Sequence, residues 1–186
     1  MAGLTPFQTL GPFFDFGLVI RDGGLVVQPD AAGRHVVIEG TIRDGAGDPL
    51  PDGLIEVWQA NAAGRYAHPA DHGPAPLDPG CDGFGRVVTD ELGRFTFTTV
   101  VPGRVPGPGG ALQAPHLAVG VLGRGLLTRL VTRLYFEGEP SNAEDAVLSI
   151  VPAHRRPTLI ATRIGDARYR FDIVLQGPGE TVFFDV

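Results

Sequence analysis

From His35 onward, apolar and polar residues alternate in short runs separated by glycine-rich turns. "HVVIEGTIRD" is followed by the turn "GAGDP", then "LIEVWQA", the turn "NAAG" and a loop-like stretch from Tyr66 to Gly85. After it come "RVVTD", the turn "ELG", "RFTFTTV", the Pro/Gly-rich loop "VPGRVPGPGG", "HLAVGVLG" and "LLTRLVTRLYF". A period of two with this spacing predicts strands that bury one face, and so an all-β sandwich. In "LLTRLVTRLYF" Leu126, Leu130 and Leu134 also sit at helical spacing, but β-branched content and the neighbouring strands favour a strand. "PSNAEDAVLSIV", with Ser141 or Asn142 as cap, predicts the one short helix, and "RFDIVLQG" and "ETVFFDV" are expected to close the sheet. The opening "MAGLTPFQTLGPFF" has two X-Pro steps and no period, which predicts an extended N-terminal arm held on another surface. "FGLVI" and "GLVVQ" follow it across the turn signal "RDGG". The expected organisation is one domain over 1–186, with arm and lead-in over 1–34 and the sandwich over 35–186.

Composition sharpens this picture. The 27 glycines and 17 prolines punctuate apolar runs instead of forming one tract, so they mark turns and not disorder. A net charge of -6, with Arg155-Arg156 as the one basic cluster, argues against nucleic acid and leaves a small molecule or a protein as partner. Cys81 is the sole cysteine, so an internal disulfide is impossible. The first residues lack a basic and then apolar leader, and no run reaches membrane-spanning length, which predicts a cytoplasmic protein without a membrane partner. Mean hydropathy is slightly positive, which suggests a large contact with another chain.

The stretch Ile38 to Tyr66, read by pattern alone, is a hairpin of the core. It also resembles the signature of the intradiol ring-cleavage dioxygenases, with Gly40, Gly47, Glu56, Trp58, Gly64 and Tyr66 at the signature positions. The resemblance continues through "TPFQTLGPF", "EVWQAN", "APLDP", "FGRVVTD", "RLYFEGEP" and "GETVFFD", nearly the whole chain. It implies a β-sandwich and cleavage of a dihydroxylated ring by O2 at a non-haem Fe(III) held by two tyrosines and two histidines. Phenolate oxygens suit ferric iron, and imidazoles complete the set. By the resemblance the tyrosine positions fall on Gly73 and Val105, and the His-x-His pair on His116 and Ala118. Three of four donors are therefore missing, and one neutral imidazole does not hold a ferric ion. His116 is expected to be a remnant. His68 and His72, flanking Asp71, are expected to be loop surface, and Tyr66 and Tyr135 to be structural.

Within the family the likeness is to the α chains of two-chain members. It implies that a homologous β chain binds the iron and that the substrate is 3,4-dihydroxybenzoate, opened with O2 to 3-carboxy-cis,cis-muconate. The pocket would lie between the chains. Thr9, Gly11 and Pro12 of "QTLGPF" would approach the substrate, glycine allowing close backbone approach and proline fixing it. Arg133 of "VTRLYFEGEP" would hold the substrate carboxylate through paired donors, with Arg129 as rival. Two alternatives stand beside this: a dioxygenase-like scaffold without a pocket role, and an independent iron enzyme with unusual ligands.

Overall fold

The alternation that starts at His35 becomes β1 (His35–Arg43), with Val36, Ile38 and Ile42 buried and Val37 and Glu39 half-buried on the other face. This structure, a computed structural model, describes residues 26–185. β2 (Leu54–Trp58), β3 (Phe84–Val88), β4 (Arg94–Val100), β5 (His116–Leu122) and β6 (Leu130–Phe136) follow. β7 (Ile160–Gly165), β8 (Arg168–Arg170) and β9 (Ile173–Val174) complete the strands among the described residues.

The strand order is β3-β2-β5-β6-β7-β8-β1-β4, with β9 paired to β1. β6 and β7 pair in parallel through only Tyr135↔Ile160 and Phe136↔Ala161, and this short seam lets one half of the sheet fold over the other. Ile55, Val57, Leu117, Val119 and Leu134 of the β3-β2-β5-β6 half meet Ile38, Ile42, Phe95, Phe97 and Tyr169 of the β7-β8-β1-β4 half in one buried core. That is the expected all-β sandwich. At Gly40 of β1 a Cβ would lie 1.8 Å from the carbonyl oxygen of Phe171, which runs alongside, so only glycine fits.

Three expectations need correction. "LLTRLVTRLYF" is a strand only from Leu130. The helical segment splits into a 3-10 turn at Pro140–Glu144 and a five-residue helix, α1 (Ala146–Ile150). Its cap is Asp145, which accepts the Val147 and Leu148 N–H groups, and not Ser141 or Asn142. "ETVFFDV" is not a strand within the described residues: Thr181 bonds Val174, Val182 donates to Thr158 and Phe184 donates to Val131, so its bonds go to separate segments. Over α1, Tyr135, Leu148, Val151 and Leu159 form a second small core outside the sheet. The arm falls outside the described residues; its lead-in joins the sandwich where Val26 N–H meets Thr98.

Candidate functional site

Strand alternation turns Phe84 and Arg86 of β3, Glu56 and Trp58 of β2, His116, Ala118 and Gly120 of β5, and Arg133 and Tyr135 of β6 away from the sandwich core. Register then sorts them into rows. Phe84, Trp58, Ala118 and Arg133 are successive cross-strand partners. With strands about 4.8 Å apart, the Trp58 and Arg133 backbones lie about 10 Å from each other with only a methyl group between them. An aromatic wall stands at one side and a cation at the other.

Tyr66 extends the aromatic wall, its ring stacked on Trp58 at 5.7 Å with 12° between planes, and His68 meets Trp58 edge-on at 6.4 Å. Asp71 fixes this loop. Its carboxylate accepts the N–H of Tyr66 at 2.8 Å and of Gly73 at 2.7 Å, and it pairs with Arg65 at 3.5 Å. These backbone donors hold Asp71 below the usual carboxylate range.

In the neighbouring row two arginines share one carboxylate. Glu56 receives Arg86 at 2.7 Å and Arg129 at 2.9 Å. Arg129 reaches it by lying over Gly120, where a Cβ would come within 2.4 Å of its guanidinium nitrogens.

Arg133 differs in kind from Arg129. It is half-buried, and its Nη1 donates to Gln113 Oε1 at 2.6 Å and to the Tyr135 hydroxyl at 3.3 Å. Among the described residues no carboxylate lies within ion-pair distance of it. The Tyr135 hydroxyl in turn donates a hydrogen bond to Asp145 at 3.1 Å. Burial raises the Tyr135 phenol well above its ordinary value, so it stays protonated. Burial raises Tyr66 likewise, with the Arg133 charge opposing it.

His116 begins β5 beside Tyr135, its ring centroid 5.6 Å away. Its Nδ1 meets the Ala114 carbonyl at 2.8 Å; a carbonyl only accepts, so this nitrogen carries the proton. Burial first, and then the Arg133 charge, lower its pKa to about 4, so the ring is neutral near pH 7.

The structure thus brings His116, Ala118 and Arg133 onto adjacent strands of one face. Val105 is buried in the loop after β4 and joins them indirectly, its carbonyl accepting from Gln113 N–H. Gly73 is held in the Tyr66 loop by Asp71. Thr9, Gly11 and Pro12 lie outside the described residues. Of the two tyrosines expected to be structural, Tyr66 belongs to the aromatic wall and Tyr135 bonds Arg133 at the other side of the face, and Gln113 had no sequence signal because a Pro/Gly loop delivers it. The i, i+2 spacing of Arg133 and Tyr135 was the one available hint that they share a face.

This donor set does not fit ferric iron. The Tyr135 phenol is engaged between Arg133 and Asp145, one imidazole nitrogen is bonded to a carbonyl, and a guanidinium sits among them where a trivalent cation would be repelled. Among the described residues no group of three or more His, Cys, Asp or Glu is placed to hold a metal, and no helix is long and apolar enough to cross a membrane.

The sequence matches a family model described as Dioxygenase over residues 11–177. It is 43% identical to the protocatechuate 3,4-dioxygenase alpha chain of Burkholderia cepacia, covering 98% of this chain and 97% of that one. It is also 41% identical to the protocatechuate 3,4-dioxygenase beta chain of the same organism, covering 80% of this chain and 67% of the other. Among solved structures, the dioxygenase domain of a dioxygenase carbohydrate-binding protein fusion from Streptomyces sp. SirexAA-E superposes with a TM-score of 0.64 at 28% identity, covering 97% of this chain and 100% of that chain.

Proposed function

This chain belongs to the intradiol ring-cleavage dioxygenase family, and from that premise we propose that it is the α chain of a protocatechuate 3,4-dioxygenase. The enzyme opens 3,4-dihydroxybenzoate with O2 to 3-carboxy-cis,cis-muconate. Intradiol dioxygenases are non-haem iron enzymes; here the Fe(III) belongs to a homologous β chain, and this chain completes the substrate pocket at their interface. The existence of paired alpha and beta relatives, both similar to this chain, supports that division. A lone buried thiol, Cys81, suits the reducing cytoplasm in which we place the enzyme.

One observation carries the role of this chain: Arg133 is a half-buried guanidinium held by two neutral acceptors, on a face with an aromatic wall and no carboxylate within ion-pair reach among the described residues. Its Nε–Nη2 edge has no partner among those residues. That edge offers two parallel N–H donors, the geometry that a carboxylate takes up bidentately. Anchoring the acid end of the substrate turns the diol at the opposite end of the ring toward the partner. His116 is neutral, so it adds no competing cation. Arg129 is already paired to Glu56 and is not the acid-binding group. Thr9, Gly11 and Pro12 are assigned on the family resemblance to the backbone wall of the same pocket.

The test is Arg133→Ala in the assembled two-chain enzyme. Losing a charge-assisted carboxylate contact should weaken protocatechuate binding by about 1.5 to 3 kcal/mol, roughly ten- to hundredfold in KM. Catechol, the same diol without the acid group, should be turned over as before. Unchanged kinetics with protocatechuate would remove Arg133 from the pocket.

A further inference from the structure

Arg133 is held by groups that leave its charge intact. Gln113 is 8% exposed and presents Oε1 to Arg133 Nη1, while its Nε2 donates to the Pro106 carbonyl at 3.2 Å. That second bond fixes which end of the amide faces the arginine. On the other side stands Tyr135, fully buried, whose hydroxyl has one proton to give. That hydrogen is donated to Asp145 at 3.1 Å, so a phenolic lone pair is left to accept from Nη1.

Asp145 is itself immobile. Its Oδ1 also accepts from Val147 and Leu148 N–H at the start of α1, and its Oδ2 accepts from Ala114 N–H just ahead of β5. The carboxylate is fully buried and already surrounded by donors. It therefore orients the phenol and forms no ion pair with Arg133, from which the Tyr135 hydroxyl separates it.

We propose that Gln113 and Tyr135, the latter oriented by Asp145, are positioning residues that set the preference of this pocket for an acidic ring substrate. They grip one nitrogen of Arg133 and leave its Nε–Nη2 edge without a partner among the described residues. A carboxylate at either position would satisfy the arginine internally and remove the reason for a substrate acid to bind. This inference rests on the assignment of Arg133 to the substrate acid group.

The experiment uses the assembled two-chain enzyme and compares kcat/KM for 3,4-dihydroxybenzoate with kcat/KM for catechol. Tyr135→Phe and Gln113→Leu each remove one acceptor and should raise KM for the acid about three- to tenfold, with kcat and the catechol reaction unchanged. Gln113→Glu should act most strongly, lowering the acid-to-catechol ratio roughly as far as Arg133→Ala does, because the new carboxylate pairs with Arg133. Gln113 lies on a loop, so its variants keep the test decisive where a change at buried Tyr135 impairs folding. Equal losses for both substrates, or an unmoved ratio in Gln113→Glu while Arg133→Ala lowers it, would overturn the positioning role and leave the Arg133 assignment standing. An unmoved ratio in Arg133→Ala as well would overturn both.

Discussion

His116 stands at the start of β5 on the face that carries Arg133, yet it is only 5% exposed. Burial, reinforced by the nearby guanidinium, brings the imidazole from its ordinary 6.5 to about 4; the Ala114 carbonyl and the Asp145 carboxylate pull the other way without prevailing. In the unfolded chain the same ring takes up its proton near pH 6.5. Between those two values the unfolded state binds more protons than the folded one, so stability rises with pH through this window and is lost on acidification. A gap of that size corresponds to about 3 kcal/mol, fully present above about pH 6.5 and gone below about pH 4. The perturbation is His116→Gln, which keeps a polar side chain and removes the titration. Equilibrium urea unfolding of both proteins at several pH values from about 7 down to about 4 gives the comparison, since carboxylates that titrate in the same range contribute equally to both. The wild type should lose about 3 kcal/mol more than the variant across that range. Parallel curves would refute the argument that a buried, neutral histidine sits beside Arg133.

Further expectations concern the same face. Gly120→Ala should push Arg129 off Glu56 and cost about 0.5 to 1 kcal/mol, because the pair is partly exposed and Arg86 still holds the carboxylate; in an Arg129→Ala background the cost should vanish, and a persistent one in a double-mutant cycle would contradict the contact. Asp145→Ala strips a cap from α1 and leaves the Ala114 N–H and the Tyr135 hydroxyl without their acceptor. Thermal unfolding should show a loss of about 3 kcal/mol, and a loss under about 1 kcal/mol would show that water replaces the carboxylate.

Much of the sandwich was legible because β1 and β4 alternate with a period of two and are bounded by glycine turns. β7 was not: "IATRIG" carries only three apolar residues, and Thr162 and Arg163 are exposed, so there is little one-sided pattern to read. "ETVFFDV" erred in the opposite direction. Its aromatic and β-branched residues suit a strand, but its bonds are divided among Val174, Thr158 and Val131. At the candidate site, the motif around Arg133 singled that residue out. What holds it could not, since Gln113 arrives from a Pro/Gly loop and Asp145 from a helix cap, both placed by long-range folding. Ala118 and Arg133 become neighbours only once β5 and β6 adopt their register.

The most direct measurement is the iron content and visible absorption of this chain purified alone, set against the chain co-expressed with its homologous β partner. The pair should carry ferric iron with the burgundy tyrosinate absorption and cleave protocatechuate, while the isolated chain should be colourless, iron-free and inactive. Stoichiometric ferric iron retained by the isolated chain, with turnover to match, would contradict the account.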